Sequence, residues 1–142
     1  MKVFDGKHAV LGRLASISAK ALLNGKRVVI VNAEDVVIVG RKENIIAKYR
    51  GRRQLKAKGN PLKGRKYPKR ADLMVKESVK GMLPTKKKTG REALIKLKVY
   101  LGVPKEFEGK LLTVKSVQMK PAQKHCCMKD ISVALGSRWE NE

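Results

Sequence analysis

Apolar positions along the chain form two kinds of run, and their alternation predicts an α/β layer. Lys2, Val3 and Phe4 read as a short strand that stops at Asp5-Gly6, a turn pair. In LGRLASISAKALLNG, Leu11, Leu14, Ala15, Ser18 and Leu22 share one helical face, with Ile17 and Ala21 beside it. The small residues Ala15, Ser18 and Ala19 permit close approach to a neighbour, and Asn24-Gly25 is a left-handed stop. Residues 27–32 read RVVIVN, whose four consecutive β-branched residues mark a strand buried on both faces, as in a parallel sheet. A loop at 32–35 follows. VVIVG at 36–40 repeats the buried-strand pattern, and 41–50 is a helix with Ile45, Ile46 and Tyr49 on one side. Strand, helix, strand, loop, strand and helix at this spacing mark an α/β fold.

The pattern breaks at residues 51–70, which hold Gly51, Gly59, Gly64, Pro61 and Pro68 and no apolar periodicity. They read as an extended functional loop, disordered alone and ordered on a partner. Asp72 caps a further helix whose inward stripe is Val75, Ser78, Val79, Met82 and Leu83, with Pro84 ending it. Residues 85–90 form a second, shorter basic loop. Thr89 or Gly90 caps a helix over 91–102, REALIKLKVYLG, with Glu92 in its first turn and Leu94, Leu97 and Leu101 as its buried face. LLTVKSV at 111–117 reads as the last strand, and 131–135 is too short to assign. The 142 residues suffice for one domain with a real core, spanning 1–142, with basic loops at 50–70 and 85–91 and a tail at 118–142.

Charge changes the picture. The chain carries a formal net +22. Residues 48–91 hold seventeen Lys and Arg against two acids, Asp72 and Glu77, and so supply fifteen of those charges. Like charges at this density oppose compaction, so the stretch implies a polyanionic partner. Mixed Arg and Lys suits phosphate, and Tyr49 and Tyr67 inside the run are candidates for stacking on unpaired bases. A long irregular basic loop fits the uneven surface of folded RNA better than a DNA groove. A membrane surface would call for an amphipathic basic helix with bulky apolar anchors, and the Gly- and Pro-broken stretch has none. No leader or spanning run is expected. Adjacent Cys126 and Cys127 make a useful bridge unfavourable and point to a reducing, intracellular setting.

Catalysis finds little support. The phosphate-loop lysine motif and the three-glycine dinucleotide fingerprint are absent. His8 and His125 are the only histidines, and His125-Cys126-Cys127 lacks zinc spacing and a second ligand pair. Asp5, Glu34 and Asp35 can gather at strand ends, where salt bridges to Lys or Arg explain them best. No metal, cofactor or small-molecule substrate is expected. Two rivals to a structural RNA-binding protein stay open: a free regulator of messenger RNA translation and a small nucleotide-directed α/β enzyme.

LGRLAS at 11–16, VVIVNAE at 28–34 and VKGMLPTKKKTGREALIKLKVYLG at 79–102 resemble the family of the thirteenth large-subunit ribosomal protein. The short connection into VVIVNAE resembles its archaeal and eukaryotic branch. The likeness covers most of residues 3–117, and the closing ISVALGSRWENE is similar to a shortened family end. The resemblance implies a three-layer α/β/α fold around a small, mainly parallel sheet of about four strands. It implies a place in the cytoplasmic large ribosomal subunit, beside ribosomal RNA and neighbouring ribosomal proteins, and a part in assembly. Gly81, Met82, Leu83 and Pro84 match the family's helix-ending motif. Arg13 matches its LGRLAS arginine, and Lys86, Lys87, Lys88, Gly90 and Arg91 match its basic loop. With the cations of the first loop and its approaches (Arg41, Lys48, Arg50, Arg52, Arg53, Lys56, Lys58, Lys63, Arg65, Lys66, Lys69 and Arg70) and Tyr67, these basic residues make up the expected RNA-binding set.

Overall fold

In the computed structural model, which describes residues 1–55, 57–109, 111–112, 117–120 and 123–137, the run VVIV becomes the middle strand of a parallel sheet. Strand β1 (Lys2–Asp5) pairs with β2 (Val28–Val31), and β2 pairs on its other side with β4 (Leu97–Val99), giving the order β1-β2-β4. All four residues of β2 are buried, as a strand covered on both faces requires. Beyond β1, Leu112 makes a parallel bridge to Phe4, in the position of a fourth strand. Residues 113–116 of the strand expected over 111–117 lie outside the described residues.

Alternate residues of the sheet serve two cores. Phe4, Val28, Ile30 and Leu97 join the larger one, which helices α1 (Leu11–Leu23), α3 (Ala71–Gly81) and α4 (Lys88–Ile95) help to cover. Val3, Val29 and Val31 face the other way, where Tyr100, Val103 and Phe107 cover them. Among the described residues that second cover is thin, built around the single 3-10 turn Lys105–Phe107. A two-stranded antiparallel ribbon of β3 (Val37–Val39) and β5 (His125–Cys127) adds to the larger core. Helices α2 (Lys42–Gln54) and α5 (Met128–Ala134) pack on one another and on β5. The chain is therefore an α/β fold with a small, mainly parallel sheet.

Several boundaries differ from the sequence reading, each for a local reason. The helix expected over 91–102 starts earlier, ends at Ile95 and gives way to β4. Lys96-Leu97-Lys98-Val99 alternates with period two, and the open edge of β2 recruits it: Val28, Val29 and Ile30 pair with Leu97, Lys98 and Val99. Leu101 consequently lies on the surface instead of in a helical stripe. Because α4 begins at Lys88, Thr89 and Gly90 are inside it and Glu92 is beyond its first turn. Asp72 likewise sits in the first turn of α3, with Arg70 at the N-cap position. Ala71, Met74, Val75 and Val79 form the inward stripe of α3; Leu83 is buried just beyond its end, whereas Met82 is exposed. Helix α2 continues past Arg50 to Gln54, so the first loop starts later than residue 50. Residues 125–135 are no tail: Cys126, Met128, Ile131 and Leu135 belong to the core.

The segment GMLPTKKKTG turns tightly because Gly90 rests on the turn itself. A Cβ at Gly90 would overlap the carbonyl group of Pro84, while one at Gly81 would meet nothing within 4 Å. Lys87 N–H donates to that same Pro84 carbonyl at 2.9 Å. Gly81→Ala should raise stability by up to about 1 kcal/mol through reduced unfolded-state freedom. Gly90→Ala should instead lower it by about 1–3 kcal/mol, because backbone must move to admit the methyl. Urea unfolding of the two variants beside the parent checks the opposite signs.

Candidate nucleic-acid interface

The basic residues singled out in the sequence are distributed over four places. Arg13 is exposed on α1. Arg41 stands at the N-cap position of α2, whose outer surface and last turns carry Lys48, Arg50, Arg52 and Arg53. Lys58, Lys63, Arg65, Lys66, Lys69 and Arg70 are exposed along the first loop. Lys86, Lys87, Lys88 and Arg91 are exposed in the second loop and the first turn of α4. Lys56 lies outside the described residues.

Helix α3 unites the two loops. Eleven residues long, it would hold their roots about 16 Å apart. The first loop, however, folds back along it. Arg65 donates to Glu77 at 2.8 Å. Lys66 and Tyr67 then share a cleft with Leu73, Lys76 and Lys80 of α3 and with Leu94 of α4. Buried Val75 and Val79 hold the inner face of α3, and Lys76 and Lys80, each one residue further on, point outward. The first loop and the outer side of α3 thus form one cationic face, and the second basic loop follows directly after the end of α3. Lys76 and Lys80 were absent from the set expected from sequence, although their spacing of four, offset by one from the apolar stripe, is a readable sign of the exposed side.

Each acid on this face pairs with a cation, although Asp72 Oδ1 is buried with no hydrogen-bond partner among the described residues. Asp72 pairs with Arg70 at 3.1 Å, Glu77 with Arg65 at 2.8 Å and Lys80 at 3.6 Å, and Glu92 with Lys88 at 4.0 Å. The hydrogen bond to Glu77 raises the Arg65 guanidinium above its ordinary value, so it stays charged. The surplus of positive charge has no internal counterpart on the described part of this face. The helix starts accentuate it. Arg41, Arg70 and Lys87 occupy the N-cap positions of α2, α3 and α4, and none of these helices has a side-chain cap. A cation at a helix N-terminus opposes the macrodipole. Helix α4 is the extreme case, with Lys86, Lys87 and Lys88 at its start and no acid in its first turn. An oxyanion placed there would meet both unpaired N–H groups and lysines.

Two of the candidate arginines have structural work. Arg53 Nη1 donates to the carbonyl of Leu135 at 3.1 Å, and Arg50 makes two longer contacts, 3.4 Å each, with the carbonyl of Ala134. Both carbonyls lie at the C-terminal end of α5, where unpaired oxygens and the negative end of the dipole favour a cation. Lys42, bound to Asp130 at 2.8 Å, ties the other end of α2 to α5. Tyr49 is likewise committed: its ring packs on the larger core, and Arg52 covers it at 5.6 Å. Burial pushes its hydroxyl upward in pKa. Tyr67 is half-buried and keeps a border on the cleft, with the Arg65 guanidinium 5.0 Å from its ring centroid.

The remaining candidate groups serve the fold. Asp5 accepts hydrogen bonds from the Lys7 N–H and from Asn32 Nδ2, at 3.0 and 2.9 Å. Glu34 accepts the Gly102 N–H on both oxygens, at 3.0 and 3.1 Å. Backbone and amide donors therefore hold these carboxylates, where salt bridges were expected. Cys126 and Cys127 are both free thiols, and burial pushes both up in pKa. Among the described residues no three His, Cys, Asp or Glu side chains gather as a metal site, and no helix is long and apolar enough to cross a membrane.

The geometry defines a class: an α/β frame that presents two basic loops and the cationic outer side of the helix between them. Comparison with known proteins narrows it. The family model for ribosomal protein L13 matches residues 1–106, and the chain belongs to that family. The large ribosomal subunit protein uL13 of Methanosphaera stadtmanae is 41% identical over 139 residues, covering 96% of this chain and 98% of that protein. Those of Methanocaldococcus jannaschii and Picrophilus torridus are 44% and 43% identical, covering 88% and 99% of this chain and 96% and 100% of those proteins. The chain is of the archaeal type, as these matches over most of its length require. Membership in a ribosomal-protein family makes it a ribosomal protein and not an enzyme.

The split between structural and outward-facing arginines has a measurable consequence. Arg53→Ala should destabilise the protein by about 1–3 kcal/mol, the usual range for loss of a charge-assisted hydrogen bond to a carbonyl. The loss should appear as faster hydrogen exchange in α5, from Met128 to Ala134. Arg52→Ala, at a guanidinium that lies over Tyr49, should leave exchange in α5 unchanged.

Proposed function

We propose that this protein is a structural constituent of the large ribosomal subunit in the cytoplasm, where its cationic face binds and stabilises ribosomal RNA. The observation that carries the reading is the basic surface that the first loop and the outer side of α3 share, with its acids paired to cations, beside the exposed lysines of the second loop. Lysine and arginine that neutralise phosphates release counterions, which supplies affinity without any bond being made or broken. The RNA-contacting set is the outward-facing one: Lys58, Lys63, Lys66, Lys69 and Arg70 of the first loop and Lys86, Lys87, Lys88 and Arg91 of the second, with Lys76 and Lys80 between them. Arg13, Arg41, Lys48 and Arg52 border it, and Arg65 contributes through its grip on Tyr67. Arg50 and Arg53 act first on α5. Neighbouring ribosomal proteins complete the environment, and holding two RNA segments against one rigid face favours their assembly.

Binding of the protein to large-subunit ribosomal RNA, titrated from low to high salt, tests this. The logarithm of the affinity should fall steeply with the logarithm of salt, by about 0.7–0.9 per phosphate neutralised. Changing Lys86, Lys87 and Lys88 together to Ala should make that slope shallower by about 2–3. Affinity that does not change with salt would count against the mechanism.

A further inference from the structure

The cleft between the folded-back loop, the outer side of α3 and Leu94 measures about 460 Å³. Its apolar wall consists of Tyr67, Leu73 and Leu94, and its rim carries Lys66, Lys76 and Lys80. Leu73 is 45% exposed, on the side of α3 away from the buried stripe, so core packing does not account for it. Glu77 is the one acid among the lining residues, and its two oxygens are engaged by Arg65 and Lys80. Arg65 covers the Tyr67 ring but does not line the cleft, so it backs the ring and leaves the cleft open. A second cleft of about 220 Å³ shares Leu73 and Lys76 and leads on to Tyr100.

We propose that the larger cleft receives one unpaired nucleotide of the bound RNA, an inference that rests on the RNA-binding reading above. The base lies against Tyr67 and Leu73, and its flanking phosphates meet Lys76 and Lys80. Three features favour this occupant. The volume, in an open cleft, is enough for one planar ring to lie against its wall. An aromatic ring beside aliphatic side chains accepts the face of any base, which suits recognition of an unpaired nucleotide without sequence choice. The lysines are continuous with the wider cationic face, so a strand following that face arrives at the cleft with its phosphates already paired. An acidic peptide would satisfy the lysines but would bring no planar group to the apolar wall. The smaller cleft toward Tyr100 gives the adjoining nucleotide a place to continue.

Photocrosslinking tests the assignment with the full chain and an eight-nucleotide uridine strand carrying one central 4-thiouridine, used alone or annealed into a duplex. The single strand should crosslink to the segment holding Tyr67 or Leu73, and the duplex should not. Tyr67→Ala should weaken binding of the single strand about tenfold, and Tyr67→Phe should bind like the parent. Neither should change the salt slope, since neither residue contacts phosphate, whereas Lys76→Ala with Lys80→Ala should lower it by about 0.7 per lysine. Leu73→Gln, at an exposed position, repeats the affinity test independently of any loss of folding in Tyr67→Ala. Crosslinks confined to other segments, equal crosslinking by the duplex, or displacement of the strand by poly-glutamate in preference to RNA would overturn the proposal. If the parent protein shows a steep salt slope while Tyr67→Ala and Leu73→Gln both bind normally, the cleft assignment fails and RNA binding stands. Parent binding that is insensitive to salt removes both.

Discussion

Like charges at the density found between Lys48 and Arg91 repel one another, so each part of that stretch needs an apolar or hydrogen-bonded anchor elsewhere in the fold. Helix α3 is the principal anchor. Val75 and Val79 are fully buried against the sheet-side core, and burial of a valine contributes about 1.5–3 kcal/mol. That apolar grip holds Lys76 and Lys80 outward in a fixed relation to one another. The first loop is fastened to α3 through Glu77, and the second is fastened through the Gly90–Pro84 contact. Helix α2 has its own fastening on α5, at Lys42–Asp130 at one end and Arg53–Leu135 at the other. Repulsion is thereby divided among short segments, each held where it cannot relax by moving away.

The same arrangement leaves the free protein with uncompensated electrostatics. Three helices begin at a cation without a side-chain cap, which raises the free energy of the protein alone and is relieved when an anion approaches. Acid pairing within the face works in the opposite direction. Each of Asp72, Glu77 and Glu92 holds a particular basic side chain and fixes its direction. Exposed pairs of this kind stabilise little, so their value lies in orientation. Arg65 illustrates this: its bond to Glu77 places the guanidinium over Tyr67 and sets the ring at the cleft.

Sequence periodicity made the centre of the fold legible because burial there is nearly complete. RVVIVN could only be an interior strand, and the apolar spacing of α1 leaves one choice of inner face. The edges were less readable. In LIKLKVYL, Leu94, Leu97 and Leu101 fit a helix while Leu97 and Val99 fit a strand, and only the vacant edge of β2 decides between them. The ribbon residues His125, Cys126 and Cys127 carry no strand pattern at all, because their pairing comes from β3. Helix α5 has the spacing Met128, Ile131 and Leu135, yet seven residues cannot be stable alone, and its carbonyls are closed by arginines eighty positions away in the chain.

Reading the site met a different obstacle. Density of charge singled out one stretch as the candidate polyanion-facing region, but charge alone does not say which cations point outward. Arg50 and Arg53 resemble their neighbours in composition, yet both donate to the end of α5. Lys76 and Lys80 looked like the solvent side of a core helix, and the fold-back of the first loop turned that side into the middle of the face. The distinction follows from geometry that sequence spacing cannot supply: a guanidinium satisfied by a carbonyl is held in place, whereas a lysine on the outer side of α3 is exposed beside an apolar cleft. It also separates neighbouring members of one basic run, with Arg50 and Arg53 fixing the frame and most lysines left facing solvent.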